Sequence, residues 1–271
     1  MPDPAPGSDA GPALAPDLGA EAGARPGPEA GPVPVRVVAG WAAAGCVLVG
    51  TGAVTVAVAA GPVSLSSGYV SEAGITGNAF ASTYRMGVFA LAAALLVLAA
   101  ALPAALRLAA GLLAAGAAGT ALSGAVTCSA GCPLPPFEAT TPADLVHAGA
   151  SIAAAGATVL AMLVVGFLRP ATAALRRVAR MAGVVALPVA GVIALGLLTV
   201  GRGGLVGGLE RVLLVICAGW GLSTALLLTR HRHDLPAAVR PGATGADRPG
   251  VTGDPEQAGR DERVAGSRTP V

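Results

Sequence analysis

Six apolar segments, each long enough to cross a lipid bilayer, constrain the fold of this chain more than any other feature of its sequence. A membrane-spanning helix needs roughly 20 mostly apolar residues, and lipid excludes open sheets because their backbone polar groups would stay unpaired. The segments run approximately Val35 to Ala60, Arg85 to Leu102, Ala104 to Val126, Ala143 to Leu168, Ala182 to Val200 and Val212 to Thr229. The pattern predicts an all-α membrane protein, a bundle of six transmembrane helices.

The composition agrees with this fold class. Hydrophobic residues make up 54 % of the chain and charged residues 12 %, whereas an average soluble domain carries about 25 % charged residues. The mean hydropathy is +0.71. A formal net charge of +2 is too small to indicate nucleic-acid binding. The lipid bilayer is therefore the partner that the composition predicts, and it identifies no protein partner.

Two polar tails flank the apolar region. Residues 1–33 are rich in Pro, Ala, Gly and acidic residues, and residues 231–271 are rich in Gly, Pro and charged residues. Neither tail has an apolar period, so both are predicted to be disordered, and the first lacks the pattern of a signal peptide. The predicted organisation is a six-helix transmembrane domain over residues 34–230 between two disordered tails.

The distribution of arginine predicts the orientation, because cytoplasmic flanks carry an excess of positive charge. Nine arginines flank the segments on the side of the membrane that holds the N-terminus, namely Arg25, Arg36, Arg107, Arg169, Arg176, Arg177, Arg180, Arg230 and Arg232. Only Arg85, Arg202 and Arg211 flank the other side. The bias predicts a multi-pass protein of the cell membrane with both termini cytoplasmic.

Two connections on the predicted outer side are long, from about Gly61 to Tyr84 and from about Thr127 to Pro142. Long loops often carry functional sites. The second loop holds Cys128 and Cys132, for which three interpretations stand: a structural disulfide, a pair of free thiols, and a redox-active or metal-binding pair. An extracytoplasmic position favours the disulfide. No metal site is predicted, because no second Cys or His pair stands nearby.

The two remaining cysteines, Cys46 and Cys217, lie inside apolar segments. They are predicted to be small buried hydrophobic residues, since free cysteine usually has that role.

A helix-start signal followed by a histidine opens the fourth segment. Thr141 suits the N-cap, Pro142 the first helical position and Asp144 the third. His147 and Ser151 follow at spacings of three and four, so they share one helix face with Asp144. Asp144 is interpreted as a carboxylate stabilised by the helix dipole or as a site residue. His147 either bonds a neighbouring helix or serves as a ligand, proton-transfer or metal-binding residue.

Further charged residues lie at the same predicted outer face. Glu72 is the acidic residue of the first long loop, Arg85 begins the second segment, and Glu210 and Arg211 begin the sixth. Each alone fits an interfacial charge. Together they lead to the hypothesis of one shallow pocket at the outer ends of helices two, four and six, lined by Glu72, Arg85, Asp144, His147 and Arg211.

Two short motifs resemble a known family. The stretch Tyr-Val-Ser-Glu-Ala-Gly from Tyr69 to Gly74 and the step from Asp144 to His147, on six apolar segments, are similar to a prokaryotic membrane family catalogued as domain of unknown function 998. The similarity covers about Val35 to Arg230. It implies a six-helix membrane protein and no established activity.

No catalytic signature is present: the sequence has no nucleophile elbow, no phosphate loop and no paired histidines on one helix turn. No cofactor is indicated. The sequence therefore favours a non-enzymatic binding, sensing or envelope component with a polar site on its outer face. The alternative is a membrane-embedded metal-dependent hydrolase with Glu72, Asp144 and His147 as catalytic residues. Under either interpretation, the candidate binding residues of the polar site are Arg85, Ser151, Glu210 and Arg211. A small transporter is a second alternative, favoured by the number of helices alone.

Overall fold

The computed structural model describes residues 35–61, 68–168 and 171–230, and none of these residues lies in a strand. They form six long helices: α1 (Val35–Ala60), α2 (Ala81–Ala101), α3 (Arg107–Ala125), α4 (Pro142–Phe167), α5 (Ala173–Thr199) and α6 (Gly204–Arg230). All six are long and apolar enough to cross a membrane, which confirms the predicted fold class. Both predicted disordered tails, together with Arg25, Arg169 and Arg232, lie outside the described residues.

The helices form a closed ring, because each packs against the next along the chain and α1 packs against α6. Successive helices are antiparallel, so the connections alternate between the two ends of the bundle. We call the end formed by residues 68–80, 126–141 and 200–203 the polar end. It also carries a 3₁₀ helix, Val70–Gly74. The opposite end includes the short connection 102–106 and residues 168, 171 and 172.

Three helices begin earlier than hydropathy indicates. α2 begins at Ala81 rather than Arg85, α5 at Ala173 rather than Ala182, and α6 at Gly204 rather than Val212. Hydropathy ends a segment wherever charge appears, whereas a helix continues as long as its backbone hydrogen bonds do. Charged side chains near a membrane surface can extend towards water while the backbone stays helical.

The predicted start of α4 is confirmed. Thr141 is the N-cap, its side chain accepts a hydrogen bond from the Asp144 backbone N–H, and Pro142 is the first helical residue. The Asp144 carboxylate accepts in return from the Thr141 backbone N–H at 2.8 Å. This reciprocal pair is a capping box, which supplies partners for two of the orphaned N–H groups at a helix start.

The interior of the bundle is packed with aliphatic side chains, while large apolar side chains such as Trp41, Leu48 and Leu195 are exposed on its outer surface. The largest fully buried apolar side chains are Leu98, Leu106, Leu113, Met162 and Val165. An apolar outer surface is what a bundle in contact with lipid requires, because lipid tails are as apolar as the core.

Helices α1 and α2 approach each other closely where two glycines face each other. A Cβ atom added at Gly50 would lie 2.8 Å from the Gly87 carbonyl oxygen, and one added at Gly87 would lie 2.9 Å from the Gly50 carbonyl oxygen. Both distances are shorter than van der Waals contact, so only glycine fits. Small residues permit such close backbone packing between membrane helices.

This contact generates a stability prediction with a control on the same helix. Gly50→Ala should lower the free energy of unfolding by about 1–3 kcal/mol, the usual cost of overpacking. Gly52→Ala should be neutral or stabilising, because nothing lies within 4 Å of a Cβ there and alanine favours helix by up to about 1 kcal/mol. Thermal unfolding of the purified proteins in detergent measures both. Equal effects of the two substitutions would contradict the described α1–α2 contact.

Candidate functional site at the polar end of the bundle

The C-terminal end of α3 leaves backbone carbonyls without intrahelical partners, as every helix end does. Two neighbouring helices supply the missing donors. Arg85 of α2 donates from Nε to the Gly124 carbonyl oxygen at 3.1 Å. His147 of α4 places Nδ1 2.7 Å from the Val126 carbonyl oxygen and 2.9 Å from that of Ser123. Because both of these atoms can only accept, Nδ1 carries the proton and donates.

The other ring nitrogen of His147 has no hydrogen-bond partner in the described structure. Nε2 is buried and unpaired, and the whole side chain is only 5 % exposed. With the proton on Nδ1, the Nε2 lone pair is the one acceptor that the imidazole still offers. A buried polar atom left without a partner is uncommon, so Nε2 is the strongest indication of a ligand site at this end.

Ser151 supports the contact between α3 and α4. Its hydroxyl donates to the His147 backbone carbonyl at 2.9 Å and lies 2.7 Å from the Ser123 hydroxyl. Both serines therefore join the two helices one turn below the imidazole, and Ser151 holds the backbone of His147 rather than its ring.

Asp144 holds the loop between α3 and α4. Its carboxylate accepts from the Ser129 backbone N–H at 2.7 Å and from the Ser129 hydroxyl at 2.9 and 3.0 Å. It also accepts from the Thr141 backbone N–H at 2.8 Å and from its hydroxyl at 2.7 Å. With 1 % of its surface exposed, this carboxylate is fully occupied in fixing both ends of the loop to α4.

The fixed loop carries the predicted disulfide. Cys128 and Cys132 are bonded, with their Cα atoms 5.0 Å apart, and both are buried in a small apolar cluster with Tyr69 and Val206. The Ser71 hydroxyl lies 3.4 Å from the Cys132 sulfur. The loop is thus packed between the 3₁₀ helix and α6 as well as against α4.

The two cysteines in the apolar helices, Cys46 and Cys217, are free and only partly buried. Neither takes part in the polar end.

The loop brings both disulfide sulfurs next to the unpaired imidazole. The sulfurs of Cys128 and Cys132 and a ring nitrogen of His147 lie within 4.8 Å of one another. A cavity of about 10 Å³ adjoins Cys128 and His147, which is room for about one water molecule. It is lined by Ser71, Gly74, Tyr84, Arg85, Ser123, Gly124, Thr127, Cys128 and His147.

A second group of contacts fixes the 3₁₀ helix to the other side of the polar end. Glu72 forms an ion pair with Arg202 at 2.7 Å and accepts from the Tyr69 backbone N–H at 3.0 Å. Glu210 accepts from the Val70 backbone N–H at 3.0 Å. Arg211 donates to the carbonyl oxygen of Gly68 at 3.1 Å. The charges at the start of α6 thereby bind the backbone on both sides of Tyr69.

The hydroxyl of Tyr69 cannot act as a base near neutral pH. Burial, reinforced by the negative charge of Glu210, raises the pKa of Tyr69 to about 12. Its hydroxyl is therefore protonated at physiological pH, and it is buried without a hydrogen-bond partner.

The structure distributes the predicted site residues over two groups of contacts. Arg85 and His147 line the same cavity, and Asp144 reaches it only through the loop that it holds. Glu72, Glu210 and Arg211 bind the segment around the 3₁₀ helix. Among the described residues no hydrogen bond or ion pair joins Glu72 to His147. Their placement around one shared pocket stays a prediction.

Sequence reasoning missed several partners that complete these contacts. Ser129 is one of the three residues between the cysteines, and nothing in the sequence indicates that it would bond Asp144. Arg202 was counted only as an outer charge, although it is the ion-pair partner of Glu72. Ser71 and Ser123 carried no signal beyond their polarity. Each pairing depends on how separate segments meet in three dimensions.

Fold and site together define a multi-pass membrane protein, a ring of six helices closed at one end by a disulfide-bonded loop. Residues 27–227, about three quarters of the chain, match the family described as "Protein of unknown function (DUF998)". The chain belongs to this family. No curated protein and no solved structure matches the chain.

The bonds of Asp144 generate a stability prediction. Asp144→Asn should lower the free energy of unfolding by about 1–3 kcal/mol, because the amide replaces one acceptor oxygen with a donor and leaves buried donors unpaired. Glu138→Gln is the matched control, since Glu138 is exposed in the same loop. Chemical unfolding in detergent measures both variants. An Asp144→Asn protein as stable as the Glu138→Gln protein would show that the carboxylate does not hold the loop.

Proposed function

We propose that this protein is a non-enzymatic binding or sensing component of the cell membrane, with both termini in the cytoplasm and the polar end outside. The observation that carries the proposal is the site itself. His147, whose Nε2 is buried and unpaired, lines a cavity of about 10 Å³, and the carboxylates of Glu72, Asp144 and Glu210 are occupied in holding loops. Such a site suits a ligand of atomic size.

The size of the cavity supports binding of a small ligand over catalysis on an organic substrate. Pockets that bind organic molecules have volumes of roughly 300–1,000 Å³, some thirtyfold larger or more. Binding a substrate there would require opening the loop that Asp144, the disulfide and Ser71 hold in place. A single water molecule or ion fits without any such movement.

The hydrolase alternative has less support than the binding function. It requires Glu72, Asp144 and His147 to act together on one substrate. Glu72 is paired with Arg202, and Asp144 accepts from Ser129 and Thr141. Neither carboxylate has a free oxygen directed at His147 in a hydrogen bond. A transporter also lacks a specific supporting observation, because the described helices are continuous rather than broken near mid-membrane.

Two independent observations support the orientation. The described arginines of the larger set, Arg36, Arg107, Arg176, Arg177, Arg180 and Arg230, all lie at helix ends away from the polar end. Positive charge of this kind favours the cytoplasmic side. The disulfide lies at the polar end, and disulfides persist in oxidising compartments outside the cytoplasm. Both observations support an outward-facing polar end.

Labelling of single cysteines in intact cells tests this orientation. Ala139 is exposed at the polar end and Ala105 is exposed at the opposite end, so each can be changed to cysteine in a chain whose Cys46 and Cys217 are serine. A membrane-impermeant maleimide should label Ala139→Cys in intact cells and Ala105→Cys only after lysis. The reverse pattern would overturn the proposed orientation, and with it an outward-facing site.

A further inference from the structure

We propose that the reduced form of the disulfide, together with His147, binds one thiophilic metal ion, Zn²⁺ or Cu⁺. The polar end would then have two states, an oxidised one closed by the disulfide and a reduced one closed by a metal held by two thiolates and an imidazole. This proposal deepens the binding function proposed above, on which it rests, by naming the class of ligand.

The donor set is the first support. Thiolate sulfur and imidazole nitrogen are the ligands that Zn²⁺ and Cu⁺ prefer. Three residues separate Cys128 from Cys132, and zinc-binding cysteine pairs are typically separated by two to four. The sequence offered no further pair for such a site. The structure supplies His147 from α4 as the third donor, within 4.8 Å of both sulfurs.

The state of the imidazole is the second and independent support. A histidine that binds a metal usually donates its other ring N–H to a backbone carbonyl, which fixes the tautomer and the ring orientation. His147 does this from Nδ1 to Val126 and Ser123. The arrangement leaves the lone pair of Nε2 buried and unpaired, and an unpaired buried acceptor is a cost that a bound ion would remove.

The surroundings fit a small ion. Metal-to-ligand distances are about 2.3 Å for sulfur and about 2.0 Å for nitrogen. Once reduced, the two sulfurs must move apart from bonding distance, and a ring nitrogen of His147, within 4.8 Å of both, must move closer for the three donors to share one ion. The Ser71 hydroxyl, 3.4 Å from the Cys132 sulfur, or a water molecule in the adjoining cavity can complete a tetrahedron.

Charge also balances at this buried place. Two thiolates and Zn²⁺ sum to zero, which avoids the cost of burying an unpaired charge. Two thiolates and Cu⁺ sum to minus one, and the guanidinium of Arg85 lines the same cavity.

The change of state balances as a thiol–disulfide exchange followed by metal binding. A dithiol donor gives two electrons and two protons to the Cys128–Cys132 bond, which breaks, and the donor becomes a disulfide. The two thiols then each lose a proton to water as the metal binds, so one ion releases two protons. In the reverse direction a disulfide acceptor takes two electrons from the two thiolates and two protons from water and becomes a dithiol, while the Cys128–Cys132 bond re-forms and the ion is released.

A metal titration of the purified full-length protein tests the proposal. The protein in detergent is reduced with a phosphine, which becomes a phosphine oxide, then desalted without oxygen and titrated with Zn²⁺ against a chromophoric chelator. We expect one tightly bound Zn²⁺ per reduced chain and none per oxidised chain. A parallel titration with Cu⁺ and competition between the two ions identify the preferred metal. Reduced protein that binds neither ion more than the oxidised protein would overturn the proposal.

Variants identify the ligands. His147→Gln should weaken Zn²⁺ binding by at least about tenfold, because substitution of a residue that only hydrogen-bonds to a metal ligand already weakens binding by that much. Cys132→Ser should abolish Zn²⁺ binding. The double variant Cys46→Ser, Cys217→Ser should bind as the unaltered protein does. Co²⁺ in place of Zn²⁺ should give thiolate charge-transfer absorption in the reduced protein only. Binding that depends on Cys46 and Cys217, or that is unchanged in His147→Gln, would also overturn it.

The tests of the two proposals fail separately. The titration uses detergent-solubilised protein and does not depend on orientation, whereas maleimide labelling does not depend on metal. If the reduced protein binds no metal while Ala139→Cys is labelled from outside, the metal-binding proposal is rejected and the outward-facing orientation is retained.

Discussion

The end of α3 is the constraint on which the polar end of this protein depends. A helix that stops near the membrane surface exposes carbonyl groups that lipid cannot satisfy. His147 and Arg85 reach this end from the helices on either side and donate to it. Their contacts align α2, α3 and α4 at the same level. The imidazole is thereby fixed in one tautomer, and its second nitrogen, Nε2, stays buried and unpaired.

The loop takes its path from the carboxylate at the start of α4. Asp144 closes the capping box and also accepts from Ser129, so one buried group sets both the helix start and the position of the loop. As a consequence, Cys128 and Cys132 lie close to His147. The capping of one helix thereby positions the residues of a candidate ligand site. On the other side, Glu72 and Glu210 hold the 3₁₀ helix and complete the cover over the same cavity.

The sequence predicts the elements that depend on local signals. The lengths of the apolar segments indicate six helices, and Thr141, Pro142 and Asp144 mark the start of α4 because N-cap preferences operate over three residues. The disulfide pairing is also predicted, since Cys128 and Cys132 are only four residues apart. Helix starts with charges in the first turns, as in α5 and α6, are placed too late because hydropathy measures the side chains and not the backbone hydrogen bonds.

The contacts of the candidate site could not be predicted from the sequence, because they join residues of separate segments. Asp144 fixes the loop because it accepts hydrogen bonds from Ser129, and the sequence does not indicate this contact. The ion-pair partner of Glu72 is Arg202, 130 residues away. The position of the cysteines beside His147 results from the folded loop and from no spacing in the sequence. The sequence thus shows which side chains could bind a ligand, whereas the tertiary structure shows which of them lie close together.

Nitrogen-15 NMR of the imidazole of His147 is the most direct test. The same tautomer, with the proton on Nδ1, both caps the end of α3 and leaves the lone pair of Nε2 available to a ligand. Labelled histidine in the detergent-solubilised oxidised protein, with His147→Gln to assign the signal, distinguishes protonated from unprotonated ring nitrogens. The account predicts a protonated Nδ1 and an unprotonated Nε2 at mildly alkaline pH. A proton on Nε2 with Nδ1 unprotonated would contradict both the cap on α3 and the ligand site.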